Sequence, residues 1–161
     1  MKLPPLALVV IASVIADQAV KYLAETRLAL EELVPVLPFL GLYRTWNTGV
    51  AFSSLSSFGP LALILLTVII IAFVSWLWIR AGLERRFARF GFALIIGGAV
   101  GNLIDRVFYG HVIDYILFHT PVFSFAVFNL ADTLITFGAL FILIQEIADW
   151  RAERRKAQGG Q

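Results

Sequence analysis

The chain has 161 residues, of which 60% are hydrophobic and 15% charged, and its mean hydropathy is +0.85. Soluble domains carry about 25% charged residues, so this composition excludes an ordinary water-soluble protein and indicates an integral membrane protein. The net charge is only +2 and there are no cysteines, which argues against nucleic-acid binding and removes disulfides, thiolate nucleophiles and Cys-ligated metals.

Four stretches approach the roughly 20 apolar residues that a helix needs to cross a bilayer. The first runs over Leu3–Leu23, with Pro4 and Pro5 in its first turn, where proline is tolerated. No small-residue cleavage site follows it, so it reads as a retained span and not as a removed leader. The second, Pro60–Ile79, has no charge. The third, Phe87–Ile104, carries Arg89, whose stem is long enough to snorkel from near one end. The fourth, Leu130–Trp150, meets Asp132 near its start and Glu146 and Asp149 near its end. With no internal repeat and no low-complexity linker, a single domain over residues 1–161 is expected, built as an all-α membrane bundle. Loops at 24–59 and 105–129 join its spans on one side. The polar tail Arg151–Gln161 is expected to fray.

Basic residues set the expected orientation. Lys2, then Arg80, Arg85, Arg86 and Arg89, then Arg151, Arg154, Arg155 and Lys156 flank the spans on one side. The two other loops contain only Arg27, Arg44 and Arg106. The positive-inside rule therefore puts both termini in the cytoplasm and those loops outside. In the first outer loop, Leu33–Trp46 is rich in Val, Leu, Phe and Tyr and reads as short irregular strands, followed by the turn signal Asn47-Thr48-Gly49. In the second, residues 121–128 form another strand-like run. A small, apolar, partly extended platform outside the membrane is the expected result.

Intramembrane polar residues converge on one layer. Asp17 lies about 21 Å along span one at 1.5 Å per residue, and Lys21, one turn higher, can pair with it. Asn102, Asp105 and Arg106 end span three, Asn129 and Asp132 begin span four, and Asp114 sits in the adjoining loop. Charged groups at membrane depth cost at least about 2.5–3.5 kcal/mol each on insertion scales, so they persist where they are paired, wet or chemically active. Two carboxylates at one site can share a proton, which suits general acid–base hydrolysis. Bland roles stand beside this one. Asp132 could be an N-cap with Thr133, Asp17–Lys21 a structural ion pair, and Asn102 with Arg106 a cap that meets lipid headgroups. Asp105 could be interfacial or paired with Arg106, and Gly97, Gly98 and Gly101 packing residues. His111 and His119 are the only histidines and no His-Glu-x-x-His or Gly-x-Ser-x-Gly occurs, so no metal or organic cofactor is expected. A small-solute or proton-coupled transporter using Asp17, Lys21 and Asp132 would need polar groups in the inner half, which are missing, and a non-catalytic assembly factor would need the carboxylates only as caps.

Five motifs resemble one family, the bacterial lipoprotein signal peptidases (signal peptidase II). They are Asp17-Gln18-Ala19-Val20-Lys21, Asn47-Thr48-Gly49-Val50-Ala51-Phe52-Ser53, Gly97-Gly98-Ala99-Val100-Gly101-Asn102-Leu103-Ile104-Asp105-Arg106, Val112-Ile113-Asp114-Tyr115 and Phe128-Asn129-Leu130-Ala131-Asp132. The resemblance implies an aspartic endopeptidase of the bacterial inner membrane. Such an enzyme cuts diacylglyceryl-modified prolipoproteins before the lipidated cysteine and uses no cofactor. Beyond those substrates and membrane lipids, no obligate protein partner is inferred. The resemblance also implies four transmembrane helices, a small extracytoplasmic β-sheet and a short helix over the site. Asp114 and Asp132 would be catalytic. Asp17, Lys21, Asn47, Gly49, Ala51, Gly101, Asn102, Arg106, Asn129 and Ala131 would support the site or bind substrate.

Overall fold

The computed structural model describes residues 3–49 and 59–159. Its elements follow in the order α1 (Leu3–Arg27), β1 (Leu33–Leu37), β2 (Leu40–Asn47), α2 (Gly59–Arg80), α3 (Arg86–Tyr109), β3 (Val112–Thr120), β4 (Phe123–Ser124) and α4 (Leu130–Gly159). All four helices are long and apolar enough to cross a bilayer. The four strands form one antiparallel sheet in the order β1-β2-β3-β4. It lies at the end of the bundle where α1 and α3 finish and α2 and α4 begin.

Helix α3 is the hub. Some 67% of its span is buried, against 22% for α1, 11% for α4 and 6% for α2. The other three therefore turn most of their apolar surface to lipid. Glycines permit this central placement. A Cβ on Gly97 would lie 2.5 Å from the Ser13 Cβ of α1. One on Gly101 would strike the Asp17 carboxylate, and one on Gly98 the backbone carbonyl of Ala131 on α4. The Gly-x-x-x-Gly spacing thus seats α1, while Gly98 seats α4 on another face. Between α2 and α3, Val74, Ala88, Phe92 and Ile96 form an apolar core with Ile142 of α4 against it. A second cluster, Ala24, Ile113 and Tyr115, fastens β3 to the end of α1.

Several boundaries differ from the expectations. Helix α1 continues through Ala24–Arg27 and α3 through Asp105–Tyr109, because both pack on the sheet beyond the expected membrane limits. The main strand of the second loop is β3, Val112–Thr120, which pairs with β2; the run 121–128 supplies the two residues of β4 and an antiparallel bridge from Phe128 to Ile116. The tail is helical to Gly159 and does not fray at Trp150. Arg89 does not snorkel. It is buried and donates to the Ala81 and Trp78 carbonyls, so it caps carbonyls left unpaired where α2 ends. No described residue forms the short helix that the resemblance implies; residues 50–58, including Ala51, lie outside the described residues.

Candidate active site

The first turn of α4 organises the site. A helix begins with N–H groups that have no partner within it, and three different side chains take the first three here. Leu130 N–H donates to the Tyr115 hydroxyl at 3.1 Å, Ala131 N–H to Asp17 Oδ1 at 2.9 Å and Asp132 N–H to Asn129 Oδ1 at 3.0 Å. In return Asp132 Oδ2 accepts Asn129 N–H at 3.2 Å. This is a reciprocal capping box in which Asn129 is the cap. Asp132 is therefore not the N-cap considered above; it is the third residue of the helix, and its other oxygen is free for a further partner.

That partner is Asn102 of α3, which donates to Asp132 Oδ1 at 2.8 Å. The Asn102 carbonyl oxygen accepts from Lys21 Nζ at 2.9 Å and from Asn129 Nδ2 at 3.1 Å. Asn129 Nδ2 also donates to Asp114 Oδ1 at 2.6 Å. One buried asparagine thus touches both carboxylates, Asp114 through its amide and Asp132 through its backbone.

Asp114 reaches this point from β3. Its register partner on β2 is Thr45, with Asn47 two residues farther along on the same face. Asn47 Nδ2 donates to Asp114 Oδ2 at 2.9 Å, and Asn47 Oδ1 accepts Gly49 N–H at 2.8 Å. Gly49 has φ +85°, a conformation that costs glycine nothing and other residues strain. The Asn-Thr-Gly turn therefore aims the Asn47 amide. Asp114 is 2% exposed. Burial first, then the nearby Asp132 charge, raises its pKa to about 6 despite the two amide donors. Burial likewise pushes the Tyr115 phenol up to about 12, so Tyr115 remains a neutral cap.

Beneath the pair lies a buried triad. Lys21 Nζ is 2.8 Å from Asp17 Oδ2 and 2.7 Å from Asp105 Oδ2, and none of the three is more than 1% exposed. Gln18 adds a 2.9 Å bond to Asp105. Asp105 is thus neither interfacial nor paired with Arg106. Consecutive helical residues do not face each other, so Asp105 turns inward while Arg106 turns toward Asp132 and Asp114. Among the described residues Arg106 has no carboxylate within 4 Å; its closest polar contact is the Asn102 carbonyl at 3.4 Å. Around the site stand four carboxylates, Asp17, Asp105, Asp114 and Asp132, against two cations, Lys21 and Arg106. That excess of negative charge favours a bound proton.

The layer is open on one side. Asp132 borders a groove of about 290 Å³ lined with Phe125, Phe128, Thr133, Thr136 and Phe137. A second, larger cavity of about 420 Å³ runs between the end of α1 and the sheet, from Val20 and Leu23 to Leu42 and Tyr115. Nearly all the expected residues meet here. Asp17, Lys21, Asn102, Asn129 and Ala131 share one hydrogen-bonded network with the two aspartates, Gly101 makes room for Asp17, and Asn47 with Gly49 approaches from the sheet. The network also includes Tyr115, Gln18 and Asp105, which the resemblance placed in motifs without a role. A tyrosine directly after a buried carboxylate was the signal for the first of these, but its contact with α4 has no trace in spacing.

A bundle of membrane-spanning helices that holds two carboxylates on one asparagine, beside an apolar groove, has the geometry of an acid–base hydrolytic site in a membrane protein. The family model described as signal peptidase (SPase) II matches residues 9–148. The chain is 54% identical to the lipoprotein signal peptidase of Mesorhizobium japonicum, over 96% of this chain and 92% of that one. It is 55% identical to that of Brucella ovis, over 91% of each. Two solved chains described as a bacterial membrane enzyme superpose with TM-scores of 0.79 and 0.81. Their identities are 31% and 30%, and they cover 88% and 91% of this chain and 92% and 90% of their own. The chain belongs to the signal peptidase II family of membrane peptidases.

Proposed function

We propose that Asp114 and Asp132 are the catalytic pair of a lipoprotein signal peptidase, acting on diacylglyceryl-modified prolipoproteins and cutting before the modified cysteine. The observation that carries this reading is Asn129, which bonds both carboxylates at once. A carboxylate pair held this way has one proton to share. The ionised member takes a proton from water as its oxygen adds to the scissile carbonyl carbon. The protonated member gives its proton to the carbonyl oxygen, leaving a neutral gem-diol. On collapse the C–N bond breaks. The leaving nitrogen gains the proton that came from water, and a gem-diol hydroxyl returns one to the other carboxylate, restoring the starting state.

The surrounding groups fit supporting tasks. Asn47 and Gly49 aim one amide at Asp114, and Asn102 aims another at Asp132. Asp17 and Ala131 fix the start of α4, Gly101 admits Asp17, and Arg106 supplies positive charge. The role expected of Ala51 remains an inference from its motif. The phenylalanine-lined groove beside Asp132 suits an apolar chain lying next to the scissile bond. A transporter gains no support, because below the triad the buried polar side chains among the described residues are Ser13 and, toward the far end, Arg89 and Gln145, which form no continuous chain of titratable groups.

In this reading the whole chain is a single domain, both termini are cytoplasmic and the sheet with the site lies on the outer face of the bacterial inner membrane. The basic residues between α2 and α3 and at the end of α4 support that orientation. Attached lipid would hold the scissile bond at the depth of the aspartates, since each buried CH₂ contributes about 0.8 kcal/mol, and so would align the reacting centre. The test uses purified protein in detergent with one prolipoprotein in lipidated and unlipidated forms. The lipidated form should be cut far faster, with EDTA having no effect. Single labelling sites at residues 32 and 121 should react from the outside only. Equal cleavage of both forms, or labelling from the cytoplasm, overturns the assignment.

A further inference from the structure

The two aspartates have different surroundings, although the mechanism above treats them alike. Asp132 stands in the first turn of α4, where the aligned peptide dipoles favour a negative charge. It accepts a hydrogen bond from Asn102, whose own carbonyl oxygen accepts from the Lys21 ammonium at 2.9 Å. A cation on the carbonyl side of an amide polarises its N–H groups and strengthens their donation. The positive charge of Arg106 on α3 faces both carboxylates. Asp114 stands on a strand with no dipole to draw on. Its two oxygens are bonded by the neutral amides of Asn47 and Asn129. Among the described residues, the charges that face it are Lys21 from α1, Arg106 from α3 and Asp132 from α4. Lys21 is already engaged by Asp17 and Asp105.

We propose that in the resting site the proton resides on Asp114 and the negative charge on Asp132, and that Lys21, acting through Asn102, sets this order. Asp132 is then the base that takes the proton from water, and Asp114 the acid that protonates the carbonyl oxygen. Lys21 and Asn102 are positioning residues, remote from the scissile bond. Burial of Asp114, which raises its pKa to about 6, agrees with the order that the geometry gives. The inference rests on the reading of Asp114 and Asp132 as the catalytic pair.

Infrared difference spectroscopy of the substrate-free protein in detergent, labelled with ¹³C at the aspartate carboxyls, tests it directly. The wild-type protein should show the stretch of a protonated, buried carboxyl that disappears as pH rises through about 6. Asp114→Asn should abolish that band. Asp132→Asn should keep it but move its titration to lower pH by about one unit, because a neighbouring negative charge has been removed. A band that is lost with Asp132 and survives without Asp114 overturns the assignment. Asn102→Leu provides a second arm, since it leaves the Lys21 ion pairs in place. It should add a second protonated-carboxyl band, absent when Asp132→Asn is combined with it; no second band removes Lys21 and Asn102 from the proposal. Neither arm depends on turnover. Failure of the catalytic reading would show separately, as cleavage by Asp114→Asn or Asp132→Asn.

Discussion

Each end of the helical bundle carries a network of cations, carboxylates and amides. At the end opposite the sheet, Arg85 bonds Glu146 and reaches Asp149 at 3.0 Å, while Gln145 accepts Phe87 N–H and donates to Asp149. These groups clip the α2–α3 turn to α4, and the ion-paired side chains are between 29% and 58% exposed. At the sheet end, Lys21 bonds two carboxylates with every partner sealed from solvent. Water can replace a lost partner in the first network but not in the second. The exposed network therefore fastens two elements, whereas the buried one fixes positions and charge states. Only the buried one contains carboxylates held by neutral amides with no cation of their own.

The largest effect should fall on those carboxylates. Asp114→Asn and Asp132→Asn each keep size and polarity but lose the titrating group. Each should lower kcat on a lipidated prolipoprotein by roughly 10²–10⁴-fold, the usual worth of general acid–base catalysis. Near-normal turnover in either variant, measured by gel shift of the product, would remove that residue from the chemistry and make the two networks alike.

Next comes stability. Lys21→Ala strands two buried carboxylates, Asp17 and Asp105, and should cost about 3–5 kcal/mol. Arg85→Ala at the other end should cost about 1 kcal/mol or less. Thermal melts of both variants in detergent read the difference, and equal losses would erase the distinction between buried and exposed pairs.

The pH dependence of stability sharpens the contrast further. Asp114 has a pKa of about 6 in the folded protein against about 3.9 in an unfolded chain. The folded state thus holds the extra proton between those values. The corresponding stability is present below about pH 4 and is lost as pH rises through about 6, by up to roughly 3 kcal/mol. The midpoint of the wild type should therefore fall relative to that of Asp114→Asn between pH 4.5 and 7.5. Parallel curves for the two proteins would contradict the raised pKa of Asp114.

The smallest effect belongs to Tyr115. Tyr115→Phe removes only the hydroxyl that accepts Leu130 N–H. A lost cap of this kind costs about 1 kcal/mol, and the loosened first turn of α4 should lower kcat a few-fold with KM unchanged. A raised KM at constant kcat would instead put the phenol in the substrate site.

Much of this molecule was legible in the chain because bilayer crossing imposes a length and a polarity that local sequence must satisfy. The four spans, the glycine face of α3, the strands at Leu33–Trp46 and the Asp17–Lys21 pair all follow from periodicity, spacing or hydropathy. The two aspartates stood out because a charge in an apolar run needs a reason. Long-range contacts decided the rest. Whether Asp105 meets Arg106 or Lys21 depends on how α1 lies against α3, and the partner of the second Asp132 oxygen, Asn102, arrives from α3. β3 became the main strand of its loop because β2 was there to pair with it. The unlike environments of Asp114 and Asp132 are set by groups as far apart in sequence as Lys21, Asn47, Asn102 and Asn129. Local sequence limits what each segment can form, but hydrogen bonds and charges act through space, so only the tertiary structure could settle which carboxylate lies among neutral amides and which receives the polarised one.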